Sequence, residues 1–181
     1  MNLHPHKLYL LLVNLAGGTA VLVSYAIGIM NHPEARGALW GEVPRAIMPV
    51  YTVSMFTAAA GYLAFTYFIL FRLDPDGVTI AGHFSYALFP WLYALVLVPS
   101  ALWMPLTFVM IGNPSLMTWI GIRAVLGITG IASLLLLAAL IAVQPAEPAW
   151  AHRLAVAGCA AFCLQTAVLD ALVWTAYFPT D

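Results

Sequence analysis

The chain has 181 residues, of which 64% are hydrophobic, 13% aromatic and 7% charged, and its mean hydropathy is +0.96. A soluble domain carries about a quarter charged residues, so a soluble globular fold and a disordered tail are both excluded. Six Lys and Arg against seven Asp and Glu give a formal charge of −1, which excludes a basic nucleic-acid-binding face and leaves an integral membrane protein.

A bilayer core about 30 Å thick takes roughly 20 apolar residues of helix. Residues 8–30 hold no Asp, Glu, Lys or Arg and form the first predicted span. Its apolar run is longer than a signal-peptide core and Tyr25-Ala26-Ile27-Gly28 offers no good cleavage pattern, so the segment is expected to be retained. Residues 31–48 make the longest connection, with Trp40, Glu42, Pro44 and Arg45 in it. The second span is 49–71, closed by Arg72 and the turn residues Asp74-Pro75-Asp76-Gly77. The uncharged stretch from 84 to 122 is too long for one helix and breaks at Gly112-Asn113-Pro114-Ser115, where a new helix can start. Spans three and four therefore cover 84–110 and 116–143, and Pro145, Glu147 and Pro148 separate them from a fifth, 154–178. No polar/apolar alternation of the kind a transmembrane barrel needs is present. The expectation is an all-α, single-domain bundle of five transmembrane helices over residues 1–181.

Five spans place the termini on opposite sides of the bilayer. Lys7, Arg72 and Arg153 fall on the N-terminal side and Arg36 and Arg45 on the other, three against two, which favours a cytoplasmic N-terminus. Small residues supply helix contacts in lipid, and Ala16, Gly17, Ala20, Thr57, Gly61, Gly127, Gly130 and Gly158 are read that way. Cys159 and Cys163 lie one turn apart and read as packing residues, neither a disulfide nor a zinc pair. His4, His6, His83 and His152 share one side without metal-ligand spacing and read as solvated loop residues. No histidine sits mid-span, which argues against a haem held by two buried histidines.

The third span carries Pro90, Pro99 and Pro105 among Phe84, Tyr86, Phe89, Trp91, Tyr93, Trp103 and Phe108. Proline removes a backbone hydrogen bond and can bend a helix. The residues then line an aromatic pocket, or they form an interfacial aromatic belt; Trp91, near a helix end, belongs to the belt. Two charges fall inside spans, Arg123 and Asp170. Each lies about seven or eight residues, roughly 10 Å, from the same boundary, so a buried Arg123–Asp170 ion pair is expected, either as a structural tie or as the polar floor of a ligand site. Asn14 and Gln165 read as interhelical hydrogen-bonding groups, and the 31–48 loop as a lid at that end.

Leu102-Trp103-Met104-Pro105-Leu106-Thr107-Phe108 resembles the third-helix Leu-Trp-x-Pro-x-Phe-Phe segment of the tryptophan-rich sensory proteins, the TspO/peripheral benzodiazepine receptor family. Pro49-Val50-Tyr51-Thr52 and Ala58-Ala59-Ala60-Gly61-Tyr62-Leu63 are similar to that family's second helix. Pro99-Ser100 stands where the family has asparagine, and the family's fifth-helix Pro-Tyr-x-x-Trp is replaced by Leu164-Gln165-Thr166-Ala167 with Asp170. The resemblance implies a bundle that binds porphyrins or sterols in a pocket capped by the first loop.

No nucleophile–base pair, phosphate-binding loop or pump-like series of charges is present, so a binding protein is expected rather than an enzyme. The candidate ligand-binding residues are Trp40, Tyr51, Trp103, Phe108, Arg123 and Asp170, with no catalytic or metal residue. The expected ligand is a flat hydrophobic molecule of the tetrapyrrole, sterol, carotenoid or quinone class. The alternative is a non-catalytic accessory subunit of a membrane complex, partnered by other subunits or by copies of itself. A weaker third class is a membrane enzyme or solute carrier using Asp170 as a proton acceptor.

Overall fold

Uncharged apolar runs can satisfy their backbone without water only as helices or closed barrels. The computed structural model describes residues 4–179 and contains five helices long and apolar enough to cross a membrane: α1 Pro5–Asn31, α2 Met48–Phe71, α3 Leu88–Gly112, α4 Leu116–Ala142 and α5 Ala149–Tyr177. Local chemistry sets their starts. Pro5 opens α1, and the His4 ring nitrogen accepts from the His6 N–H. Ser115 caps α4, its Oγ accepting from the Thr118 N–H at 3.1 Å.

The ends differ most from expectation at the starts of α3 and α5. Helix α3 begins at Leu88 rather than 84, because Ile80 and Phe84 exchange backbone hydrogen bonds and Tyr86 Oη donates to the Ile69 carbonyl at 3.0 Å. Pro90 consequently sits in the first turn, where no intrahelical bond is lost, and only Pro99 and Pro105 lie inside the helix. Helix α5 begins at Ala149 rather than 154, directly after Pro148. Two short strands, β1 Thr79–Ile80 and β2 Val143–Gln144, pair antiparallel and tie the α2–α3 loop to the end of α4.

Helix α3 packs against both α1 and α4, α4 against α5, and α5 against α2, whereas α1 barely touches α2. The helices form a ring in the order α1, α3, α4, α5, α2, with a loose seam between its first and last members. A hydrogen bond from Tyr62 Oη to Asn14 Oδ1, 2.6 Å, crosses that seam from positions well inside both helices. Helices α2 and α5 approach closest at Gly61 and Gly158, where a Cβ on Gly158 would lie 2.8 Å from the Gly61 Cα.

The core has two parts. Leu10, Phe65, Phe68, Phe89, Tyr93 and Leu140 belong to the one towards the β1–β2 end. Val43, Tyr51, Trp119, Ile122, Trp174 and Phe178 belong to the other. The α1–α2 loop closes over this second part. Its Leu39 carbonyl accepts from Trp174 Nε1 at 2.8 Å, and its Glu42 N–H donates to the Tyr177 carbonyl at 2.8 Å. Gly41 between them has φ +55, and a Cβ there would lie 2.9 Å from the Tyr177 carbonyl oxygen, so the docking needs glycine.

Candidate functional site

Helix α5 changes its winding over Leu164–Trp174, where it is π-helical. The backbone there bonds five residues back rather than four. In an α-helix, residues five apart point about 140° away from each other; in the wider winding they line up. Gln165 and Asp170 are brought together in this way, Gln165 Nε2 donating to Asp170 Oδ1 at 2.7 Å. Since the amide nitrogen donates to a carboxylate oxygen, Gln165 Oε1 is fixed as the acceptor end. It is buried and has no partner among the described residues.

Arg123 does not join this pair, and the expected Arg123–Asp170 ion pair is overturned. Its side chain is exposed on α4, with the guanidinium carbon 6.0 Å from the centroid of the Trp119 ring. The reason is azimuthal. The inward face of α4 is Trp119, Ile122, Leu126 and Thr129, and Arg123 lies one step around from it. A long basic side chain so placed runs along the apolar surface towards the interface.

Trp103 packs its ring 5.6 Å from Tyr25 of α1 and 5.6 Å from Trp174 of α5, the latter edge-on at 76°. Trp174 continues the cluster to Trp119 at 6.4 Å and Phe178 at 4.5 Å. The Trp103 indole N–H is buried without a partner. Tyr51 is buried, donates from Oη to the Leu169 carbonyl at 2.8 Å and takes the edge of Trp40 at 5.9 Å. Asp170 lies within electrostatic range of the Tyr25 and Tyr51 phenols. Phe108 stands apart: it is stacked on His32 at 4.5 Å and pressed against Gly28, so it seals the α1–α3 contact and lines no pocket with Trp103.

Of the expected set, Tyr51, Trp103 and Asp170 converge on the loop-covered end of the bundle, with Trp40 behind Tyr51. Arg123 and Phe108 do not join them. Sequence reasoning missed Tyr25 and Trp174 as members and read Gln165 only as interhelical glue. A hydroxyl-bearing aromatic well inside α1 was the available signal for Tyr25. For Gln165 and Asp170 there was none, because their alignment depends on the π winding. Trp103, Trp119, Trp174 and Phe178 pack on one another beneath the loop. Two shallow grooves, about 430 Å³ between α2 and α5 and about 340 Å³ between α4 and α5, are nearly all apolar and do not reach Trp103.

Comparison with protein-family models, curated proteins and solved structures finds no match to this chain. Its own residues carry the functional reading.

Proposed function

We propose that this chain is a multi-pass integral membrane protein, its N-terminus towards the cytoplasm, that binds a flat, largely apolar small molecule between α1 and α2. The ligand class is a tetrapyrrole, sterol, carotenoid or quinone. The observation that carries this reading is the pairing of a loose α1–α2 seam with unpartnered polar groups on the two helices that flank it, α3 and α5. The Trp103 N–H and Gln165 Oε1 are both buried and unpaired, although more than about nine in ten such groups in folded proteins are satisfied. Each costs about 1–3 kcal/mol when left so. A molecule inserted at the seam would meet aromatic faces on Tyr25, Trp103 and Trp174 and one hydrogen-bonding group of each kind. The likeness of the Trp103 segment to the tryptophan-rich sensory proteins supports the same class.

Tryptophan fluorescence titration of the protein in nanodiscs with one member of each ligand class tests the reading. Aromatic contacts add about 0.5–1.5 kcal/mol beyond burial, so Trp103→Ala is expected to weaken binding about tenfold or more. Trp150→Ala, on an exposed residue at the far end, leaves it unchanged. Equal affinities of the two variants remove Trp103 from the site.

The second reading, an accessory subunit, is favoured by α1, whose buried residues are Leu10 and Gly28 alone among 27. So bare a helix offers a face to another subunit. Co-purification of a defined partner, with no ligand retained or bound, would put this reading first.

A further inference from the structure

We infer that the molecule taken by this site carries a protonated amine, with Asp170 as its counter-ion. The inference rests on the binding function proposed above and narrows its ligand class. Asp170 is half-buried on the π-helical stretch, and its hydrogen bond among the described residues comes from a neutral amide, Gln165 Nε2, to one carboxylate oxygen. Among the described residues no Lys or Arg pairs with it. Helices α2 and α3 contain no Lys or Arg, and in α1 the single Lys7 sits in the first turn, at the far end. Arg123 of α4 points outward, and Arg153 of α5 lies in the opposite half of its helix. Arg45 and Glu42 in the loop above are exposed. Carboxylates inside a span are normally paired, and here the described residues supply no cationic partner.

The surroundings say what kind of cation fits. The same Gln165 amide that donates to Asp170 carries the acceptor Oε1, buried and without a partner among the described residues, which needs a donor and not another acceptor. Calcium takes six to eight oxygen ligands and magnesium an octahedron, and two oxygens amid indoles and phenols provide neither. Aromatic rings attract organic ammonium groups, and Tyr25 and Trp103 pack theirs 5.6 Å apart where α1 meets α3. A ligand ammonium would donate to Asp170 and Gln165 Oε1 while the flat apolar remainder stacks on the rings. The Trp103 N–H is left for an acceptor atom elsewhere on the ligand.

The test compares two probes of one shape, cationic aminoacridine and neutral methylanthracene, binding to the full chain in zwitterionic nanodiscs, with empty discs subtracted. The parent should bind the amine about tenfold or more tightly than the neutral ring. Asp170→Asn, which keeps the side-chain shape, should abolish that preference. Equal affinities in the parent overturn the inference, and that comparison needs no variant to fold. A preference that survives Asp170→Asn in protein of parental circular dichroism overturns it too. In both cases bound methylanthracene leaves the wider binding function standing. If neither probe binds, and no tetrapyrrole, sterol, carotenoid or quinone does, the binding function falls and this inference with it.

Discussion

Arg123 and Asp170 illustrate what depth alone can and cannot say. Counting residues from a span end gives height in the bilayer, since each helical residue rises about 1.5 Å, and on that scale the two were expected to meet. Height says nothing of direction around the helix. The burial of Trp119, Ile122 and Leu126 turns Arg123 outward, and the π winding turns Asp170 towards Gln165. The energetic consequence is specific. Removing one member of a buried ion pair strands the other and costs about 3–5 kcal/mol, whereas uncoupled residues have additive effects within about 0.3–0.5 kcal/mol. Arg123→Ala should therefore leave thermal stability in detergent almost unchanged, and the Arg123→Ala, Asp170→Ala double variant should melt with Asp170→Ala. A double variant more stable than Asp170→Ala would restore the pair.

At the scale of the elements, five helices were legible because absent charge and long apolar runs are unambiguous. The breaks at Asp74–Gly77 and Gly112–Ser115 are written in turn residues. Small residues also marked the α2–α5 contact, for Gly61 and Gly158 were read as packing positions and meet backbone to backbone. Close approach of that kind is what holds helices together where lipid is as apolar as leucine. Gly158→Ala would set a methyl 2.8 Å from the Gly61 Cα, with no flexible side chain to give way. Overpacking of this sort costs about 1–3 kcal/mol, and the variant should melt correspondingly earlier. Gly18→Ala is the control: nothing lies within 4 Å of its added Cβ, and alanine suits a helix better. Equal melting of the two variants would mean that the α2–α5 crossing contributes nothing particular. The π-helical stretch of α5 was not legible. Its sequence, Leu164 to Trp174, is as apolar and helix-compatible as its neighbours, and the winding is decided by packing. Tyr51 holding the Leu169 carbonyl and Trp174 holding the Leu39 carbonyl are contacts between segments more than a hundred residues apart.

For the whole molecule, the ring order α1, α3, α4, α5, α2 could not be read from spans and loops, because short loops constrain neighbours in sequence whereas the α1–α2 and α2–α3 connections, 32–47 and 72–87, are long and equal in length. Both leave α2 free to pack against α5 and only loosely against α1, so the seam follows from connectivity as much as from side chains. Five spans in a bilayer also fix which loops share a side, and this can be checked directly. In a background with the buried Cys159 and Cys163 replaced by alanine, single cysteines are introduced at the exposed positions Arg36, Asp76, Asn113 and Glu147. With five spans, Asp76 and Glu147 lie with the N-terminus, and Arg36 and Asn113 lie opposite. In the proposed orientation the first side, which holds Lys7, Arg72 and Arg153, faces inward. An impermeant maleimide added to intact cells should therefore label Arg36→Cys and Asn113→Cys, and reach Asp76→Cys and Glu147→Cys only after permeabilisation. Labelling with the two groups exchanged would invert the orientation and keep the bundle. Asp76→Cys and Arg36→Cys labelling from one side would mean that α2 does not span, and the seam between α1 and α2 could not then open into the bilayer.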